Sequence, residues 1–257
     1  MTRPLAAFLA AWMFLTRIPV RTKTLGKSDF EAAPAFYPLV GILIGAIGAI
    51  GFALGSVIGG SIIGAIFATA ATLLATGAFH EDGLADLFDG LGASTPERMM
   101  EIMRDSRLGT FGAAALFVAL SLKVAALSSI LPWSALAALP VAHGLSRLSA
   151  VIVIATSNYA RPEGIAKPVA GGIARNGLIV VWLTGLIALL IFGLFVGIGA
   201  AISAVVGLCV GHGATRLLFE RKLGGYTGDC LGAVQQVSEI GFYLGLLAWL
   251  LTDLLDN

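Results

Sequence analysis

Three long apolar stretches dominate the sequence and decide what kind of fold it can adopt. They run from Phe36 to Phe79, from Phe111 to Thr156 and from Gly177 to Ala214. A membrane-spanning helix needs about 20 apolar residues, so each stretch has the length of two such helices joined by a turn. Hydrophobic residues make up 58% of the chain and charged residues 12%, which a bilayer accommodates better than a water-soluble core does.

Glycine and proline mark the points where each stretch is expected to turn. These points are Gly59-Gly60-Ser61, Leu131-Pro132-Trp133 and Gly197-Ile198-Gly199. Other glycines recur four residues apart inside the stretches, as at Gly41 and Gly45, and small residues at that spacing favour close packing of membrane helices.

Two further apolar segments complete the predicted fold. A seventh span is expected from about Ile240 to Leu251, with a start as early as Leu231. The segment from Leu5 to Leu15 lacks a clear signal-peptide cleavage site and is interpreted as an interfacial helix. The predicted fold class is therefore all-α, a polytopic integral membrane bundle of about seven transmembrane helices plus an N-terminal interfacial helix. The chain 1–257 is expected to form a single domain.

The basic residues lie at the ends of the spans opposite the predicted turns, and the positive-inside rule places those ends in the cytoplasm. They fall into four groups: Arg3, Arg17, Arg21, Lys23 and Lys27; Arg98, Arg104 and Arg107; Arg161, Lys167 and Arg175; Arg216, Arg221 and Lys222. This pattern predicts a multi-pass membrane protein whose charged face is cytoplasmic. The net charge of +1 argues against nucleic acid as a partner.

The segment 80–110 is the most charged part of the sequence. Asp82, Asp86 and Asp89 are spaced i, i+4, i+7, which places all three carboxylates on one face if the segment is helical. Glu81 lies about 100° around that helix, and Gly83 leaves room for a ligand to approach the backbone.

Three like charges on one helical face repel one another and favour a bound cation. Oxygen ligands select a hard ion, and Mg²⁺ typically uses one or two carboxylates together with substrate phosphates. We therefore predict a site for a hard divalent cation on this stripe, to which Glu81 could contribute from the side. The alternative is a solvated acidic loop that pairs with nearby arginines.

Two other polar segments are candidates for binding a phosphorylated substrate. In the segment 104–112, Arg104 and Arg107 flank Asp105, and arginine forks suit phosphate oxygens. In the glycine-rich segment 224–233, Asp229 is a candidate metal ligand or substrate contact. The polarity of this second segment continues into the last span through Gln235, Gln236, Ser238 and Glu239.

Several ionisable residues lie inside predicted spans, where a charge needs a partner. Lys123, His143 and Arg147 belong to the second apolar stretch, and His212 belongs to the third. We expect the acidic segment to supply the partners of the two basic residues. Arg161, in the loop after the second stretch, is a candidate phosphate contact.

Several sequence blocks together resemble the cobalamin synthase family, also called adenosylcobinamide-GDP ribazoletransferase. The blocks occur in the family's order over nearly the whole chain: Phe14-Leu15-Thr16-Arg17-Ile18-Pro19-Val20, Tyr37-Pro38-Leu39-Val40-Gly41, Phe79-His80-Glu81-Asp82-Gly83-Leu84-Ala85-Asp86 followed by Asp89-Gly90, Met103-Arg104-Asp105-Ser106-Arg107-Leu108-Gly109-Thr110, Tyr159-Ala160-Arg161 and Gly225-Tyr226-Thr227-Gly228-Asp229. At Glu81 the sequence departs from the family, since many members carry leucine there.

The resemblance implies a late step of vitamin B12 biosynthesis that depends on Mg²⁺ and takes place at the cytoplasmic (inner) membrane. In that reaction Asp82, Asp86 and Glu81 would hold the Mg²⁺ ion. The small-molecule substrates would be adenosylcobinamide-GDP and α-ribazole or its 5′-phosphate. The products would be adenosylcobalamin or its 5′-phosphate and GMP. In this interpretation Gly83, Arg161, Thr227 and Asp229 help to bind substrate.

The charged residues receive specific roles in that reaction. Asp89 or Asp105 would orient or deprotonate the attacking hydroxyl, and Arg104 and Arg107 would hold the phosphates. The oligomeric state is open, a homo-oligomer included. The rival interpretations are a CDP-alcohol phosphotransferase-like enzyme, whose pattern has arginine where this chain has Asp86, and a transporter.

Overall fold

The computed structural model describes residues 3–22, 25–160 and 171–256, and every regular element in these ranges is helical. Ten α-helices are numbered in chain order, with a single 3₁₀ turn over Ala33–Phe36 between the second and the third. They are α1 Pro4–Leu15, α2 Lys27–Ala32, α3 Tyr37–Thr76, α4 Phe79–Gly90, α5 Pro96–Ile102, α6 Thr110–Ser129, α7 Pro132–Thr156, α8 Arg175–Val196, α9 Ile198–Leu223 and α10 Gly228–Asp256.

Six helical runs in the described ranges are long and apolar enough to cross a membrane. They are Lys27–Thr76, Thr110–Ser129, Pro132–Thr156, Arg175–Val196, Ile198–Leu223 and Gly228–Thr252. The helix α1 is apolar but shorter than a span. These runs confirm the predicted polytopic helical bundle.

The helix α3 is two antiparallel segments rather than one rod. Gly59 and Gly60 leave the helical region, and Gly60 has a φ of 72°, which favours glycine. The two segments then pack closely, since a Cβ atom on Gly55 would lie 2.6 Å from the Ile63 carbonyl oxygen. One on Gly51 would lie 2.8 Å from that of Phe67. The first of the six runs thus contributes two passes, which gives the seven that the sequence predicts.

The other predicted turns are also confirmed. The helix α6 ends at Ser129 and α7 begins at Pro132, where a missing N–H is tolerated in the first turn. Gly197 separates α8 from α9 with a φ of 106°. The last helix begins at Gly228, earlier than Leu231 or Ile240, so its polar first half belongs to the same helix as its apolar second half.

The helix α7 is the centre of the bundle. In its most apolar window 83% of the residues are buried, against 22% for α8, whose outer face is left for lipid. The first half of α3 packs on α7 through glycines, as predicted from their spacing. A Cβ atom on Gly45 would lie 2.5 Å from the Pro140 Cα atom, and one on Gly41 would lie 2.7 Å from Cδ of Arg147.

Candidate active site

The segment 79–90 is a helix, as the carboxylate spacing predicts, and its acidic stripe faces away from the core. Asp82 is exposed and Asp86 and Asp89 are half-buried on one face of α4. Glu81, about 100° around the helix from Asp82, is buried. The stripe is thus three aspartates, and the fourth acid of the segment belongs to the interior.

A pocket of about 570 Å³ opens beside Asp82, and we call it the site pocket. Its walls come from the segment after α1, the end of α3, the start of α4, the loop after α7 and the start of α10. The lining residues are Met13, Phe14, Thr16, Arg17, Thr76, Gly77, Ala78, Phe79, Asp82, Gly83, Tyr159, Gly228 and Asp229. Of the predicted site residues, the pocket brings together Asp82, Gly83 and Asp229.

Asp229 reaches the pocket because two loops pair just before α10. The Ala160 N–H donates to the Tyr226 carbonyl oxygen at 2.9 Å, and the Tyr226 N–H donates to that of Asn158 at 2.9 Å. The buried Thr227 then accepts a long hydrogen bond of 3.4 Å from the Cys230 N–H at the start of α10. Thr227 therefore shapes the first turn that carries Asp229, and it lies beneath the pocket rather than in its wall.

Gly83 has a packing role beside the predicted one. It lines the site pocket, as expected for a glycine that admits a ligand. A Cβ atom on Gly83 would lie 2.9 Å from both Cα and the carbonyl oxygen of Asp229. Its missing side chain therefore also lets the first turn of α10 pack against α4 at the pocket wall.

Asp89 caps the start of α6. The Gly109 N–H and the Gly112 N–H donate to its two carboxylate oxygens, each at 2.7 Å. A carboxylate at a helix N-terminus satisfies free amides and complements the helix dipole. Asp89 thus fixes the loop after α5 against the end of α4, and it does not line the site pocket.

The arginine segment lies on the surface between α5 and α6. The Arg107 Nε–H donates to both oxygens of Asp105 at 3.0 Å, and this pairing lowers the pKa of Asp105 to about 2. Arg104 is exposed. Neither arginine lines the site pocket, and Asp105 is a weak base near neutral pH. Arg161 lies outside the described residues.

The chain is similar to known proteins over nearly its whole length. A profile of the family described as cobalamin-5-phosphate synthase matches residues 7–247. A protein of Ralstonia nicotianae named adenosylcobinamide-GDP ribazoletransferase is 44% identical over 242 residues, which cover 92% of each chain. One of the same name from Shewanella amazonensis is 40% identical over 95% of this chain and 96% of its own. No solved structure matches the chain significantly.

The chain belongs to the cobalamin-5-phosphate synthase family. Its match covers every wall of the site pocket, from Met13 to Asp229. Four sequence blocks of this family member therefore form one site, although they lie far apart in the chain. They are the blocks around Arg17, Asp82, Tyr159 and Asp229. The two rival interpretations, a CDP-alcohol phosphotransferase and a transporter, are not favoured.

The acids of the site pocket suit a metal that also binds substrate. Among the residues that the structure describes, there is no group of three or more histidine, cysteine, aspartate or glutamate side chains that could hold a metal ion by itself. Asp82 and Asp229 nevertheless line one pocket, and both side chains end in a carboxylate. Two carboxylates completed by substrate phosphates are the donor set that Mg²⁺ usually takes, so the residues present fit that ion.

Beneath the site, polar and charged side chains form a buried network between α4, α6, α7 and α10. The Lys123 Nζ atom lies 3.0 Å from Oε1 of Glu239 and donates to Oε1 of Gln236 at 2.9 Å. The Gln236 Nε2–H donates to Oε1 of Glu81 at 2.8 Å. His143 lies 3.3 Å from Glu239. We call Glu81, Lys123, His143, Gln236 and Glu239 the buried network.

The buried network corrects the predicted partner of Lys123 and the predicted role of Glu81. The partner of Lys123 is Glu239 of the last span, not the acidic stripe of α4. Arg147 donates to the carbonyl oxygen of His143 at 3.0 Å, and the charges of Glu239 and Glu81 both act on it, so the acidic segment contributes to its surroundings as predicted. Glu81 faces Gln236 inside the bundle and does not line the site pocket, so it joins α4 to α10 instead of completing the predicted metal site.

Two of the residues that line the site pocket, Arg17 and Gly77, had no role predicted from the sequence. Arg17 stands in a block that carries the family resemblance, and this signal pointed to the family without indicating a function for the side chain. Gly77 carried no signal, because its role depends on a left-handed turn that only the fold reveals.

Proposed function

We propose that this protein joins α-ribazole or its 5′-phosphate to adenosylcobinamide-GDP, giving adenosylcobalamin or its 5′-phosphate and GMP. The observation that carries the proposal is the family match over residues 7–247, because it includes every residue that lines the site pocket. The relatives named ribazoletransferase also align over nearly their whole lengths. The pocket offers acids and an arginine beside an aromatic wall, which suits a phosphorylated substrate that carries a planar base.

In the proposed reaction a ribose hydroxyl attacks the phosphorus atom next to the corrinoid arm. A new oxygen–phosphorus bond forms, the bond to the bridging oxygen of the diphosphate breaks, and GMP leaves with the electron pair. The hydroxyl proton passes to a carboxylate or to solvent. Such transfers depend mainly on positioning and on neutralisation of charge, so few covalent contributions are required from the protein.

Asp82 and Asp86 are the proposed Mg²⁺ ligands, with Asp229 as a further carboxylate at the pocket wall. When bound, Mg²⁺ would neutralise charge on the diphosphate. Asp229 is also suited to orient the attacking hydroxyl, since its backbone is held against Gly83. Asp89 and Asp105 are less suited to that role than predicted, because the first accepts two backbone N–H groups and the second pairs with Arg107.

Arg104 and Arg107 keep a proposed role at the edge of the site. Asp89 fixes the loop after α5 at the far end of α4, seven residues or about 10 Å along the helix from Asp82. A substrate as large as a corrinoid nucleotide can span that distance. Arg161 directly follows the paired segment Asn158–Ala160 and is a further proposed phosphate contact.

The proposed location is the inner membrane of a prokaryote, with the site pocket facing the cytoplasm. The support is the positive-inside distribution, because the basic groups lie at the end of the bundle that carries the pocket. The lipid bilayer is the partner of the apolar outer faces, and a homo-oligomer stays open.

Mass spectrometry of the products tests the proposal. Purified protein is incubated with adenosylcobinamide-GDP and α-ribazole, with Mg²⁺ or with a chelator in its place. We expect adenosylcobalamin and GMP in equal amounts, only when Mg²⁺ is present. Separate incubations with a CDP-alcohol, and with protein in liposomes, test the two rivals. Release of CMP from the CDP-alcohol, or uptake of substrate into the liposomes without a nucleotide product, would overturn the proposal in favour of the corresponding rival.

A further inference from the structure

We propose that Arg17 is a binding residue for the diphosphate of the nucleotide substrate, a role that rests on the proposed function. Arg17 lies in the segment between α1 and α2 and lines the site pocket together with Asp82 and Asp229. Three observations support this role: the backbone of this segment is fixed, the side chain occupies a shaped position, and its charge has no partner among the residues that the structure describes.

The backbone around Arg17 is anchored on both sides. The Arg17 N–H donates to the Ala75 carbonyl oxygen near the end of α3 at 2.8 Å. The Trp12 Nε1–H donates to the Ile18 carbonyl oxygen at 3.1 Å. The hydroxyl of the buried Thr16 donates to the Trp12 carbonyl oxygen at 2.9 Å. The chain from Thr16 to Ile18 is therefore held in place, and it presents Arg17 at one position beside the connection from α3 to α4.

The side chain of Arg17 lies across Gly77, which ends α3. A Cβ atom on Gly77 would lie 2.5 Å from Cδ of Arg17 and closer still to its Nε atom. Gly77 also has a φ of 67°, in the left-handed region that favours glycine. Only glycine satisfies both requirements, so the connection has a surface onto which the arginine fits.

No acid in the described part of the chain neutralises the charge of Arg17. It forms no side-chain hydrogen bond or ion pair with any residue between 3 and 256 that the structure describes. Other arginines do pair, such as Arg3 with Asp29 at 3.1 Å and Arg216 with Glu220 at 2.9 Å. Arg17 is also the only lysine or arginine among the residues known to line the site pocket.

Two helix starts add to the positive potential near Arg17. Ala78 and Phe79 begin α4, and Gly228 and Asp229 begin α10, and all four line the site pocket. Free backbone N–H groups and the dipole at a helix start favour an anion. A guanidinium fork binds phosphate oxygens in pairs. The chemistry that matches is a nucleoside diphosphate bound between Arg17 and the metal-binding acids.

The test uses the full-length protein in detergent, with three variants. Arg17→Ala removes the fork, Arg17→Lys keeps the charge without the fork, and Arg21→Ala removes an exposed arginine of the same segment that does not line the pocket. Binding of GDP in the presence of Mg²⁺ is measured for each. The steady-state constants for adenosylcobinamide-GDP and for unphosphorylated α-ribazole are measured in parallel.

We expect Arg17→Ala to weaken GDP binding and to lower kcat/KM for adenosylcobinamide-GDP by about 10- to 100-fold, as for loss of a charge-assisted phosphate contact. The KM for α-ribazole should stay unchanged, which a general structural defect would not allow. Arg17→Lys should recover part of the loss, and Arg21→Ala should stay within about two-fold of wild type, as is usual for surface changes.

Two outcomes would overturn the role of Arg17. One is GDP binding by Arg17→Ala within two-fold of wild type, and the other is an equal loss in Arg17→Ala and Arg21→Ala. The GDP measurement separates this proposal from the proposed function. Wild-type protein that makes no cobalamin but binds GDP through Arg17 would refute the reaction and keep the site. Active wild-type protein together with an unaffected Arg17→Ala variant would support the reaction and refute the role of Arg17.

Discussion

The site pocket and the buried network contain the same kinds of charged side chain and treat them in opposite ways. In the buried network Glu239 lies 3.0 Å from Lys123, and both side chains are almost completely buried. In the site pocket Asp82 is exposed, and Arg17 forms no ion pair with the described residues. Charges that are paired within the bundle hold helices together, whereas charges left facing a pocket are available to a ligand.

The two regions are joined through the neighbouring residues Glu81 and Asp82. Glu81 faces inward and accepts a hydrogen bond from Gln236 at 2.8 Å, while Asp82 faces the pocket. One turn of α4 thus belongs to both regions. We infer that the buried network sets the position of α4, which presents Asp82 to the pocket proposed for the chemistry. The comparison predicts that changes in the two regions affect different measurable properties.

The largest effect is expected for Asp82→Asn. This change removes one proposed Mg²⁺ ligand, so turnover should fall by about 10³-fold or more, comparable to the loss of one strong transition-state contact. The free energy of unfolding should stay close to that of wild type, because Asp82 is exposed. A turnover assay measures the first effect, and denaturant unfolding in detergent measures the free energy of unfolding. Recovery of turnover at high Mg²⁺ would reduce Asp82 to an accessory role.

The next effect is expected for Glu239→Gln, on stability. The change leaves the charge of Lys123 buried without its partner, which should lower the free energy of unfolding by about 3–5 kcal/mol. Glu220→Gln is the matched control, since Glu220 pairs with Arg216 on a partly exposed helix face and should lose less than about 1 kcal/mol. Similar losses in the two variants would show that burial does not distinguish the pairs.

A smaller effect is expected for Gly83→Ala, which acts where the two regions meet. The new Cβ atom would lie 2.9 Å from the Asp229 backbone, so α10 must shift at a cost of about 1–3 kcal/mol. Turnover should fall because Asp229 moves away from Asp82. Gly92→Ala is the control, since no atom lies within 4 Å of the added group there. Full activity in Gly83→Ala would contradict a requirement for close approach.

The smallest effect is expected for Asp105→Asn. Hydrogen bonds from Arg107 lower the pKa of Asp105 to about 2, so the stabilisation from this pair is present above the ordinary carboxyl pKa and is lost only as the pH falls toward 2. Between pH 5 and 8 the turnover profile of Asp105→Asn should have the shape of the wild-type profile. If turnover of this variant no longer falls at acidic pH as that of wild type does, the result would identify Asp105 as the general base.

Local chemistry explains which parts of the fold could be predicted from the sequence. The turns at Gly59-Gly60, Pro132 and Gly197 follow from the backbone preferences of glycine and proline, which do not depend on distant residues. The helical face shared by Asp82 and Asp86 follows from periodicity. The family resemblance then identified the blocks that meet in the site pocket.

The parts that the sequence did not predict all depend on contacts between distant residues. Glu239 lies 116 positions from Lys123, so no spacing rule could have named it as the partner. The amides that Asp89 caps belong to another helix. Gly83 was assigned to a ligand, and only the approach of α10 shows that it also serves packing. Propensity and periodicity describe single elements, whereas these roles arise where elements meet.

The division between the two regions is tested most directly by measuring Asp82→Asn and Glu239→Gln side by side. Each preparation is assayed for GMP release from adenosylcobinamide-GDP and α-ribazole, per folded molecule, and for its unfolding midpoint in detergent. The account predicts that Asp82→Asn unfolds like wild type and releases almost no GMP. It predicts that Glu239→Gln unfolds much earlier while its folded fraction still turns over. An Asp82→Asn protein that unfolds early, or releases GMP at the wild-type rate, would contradict it.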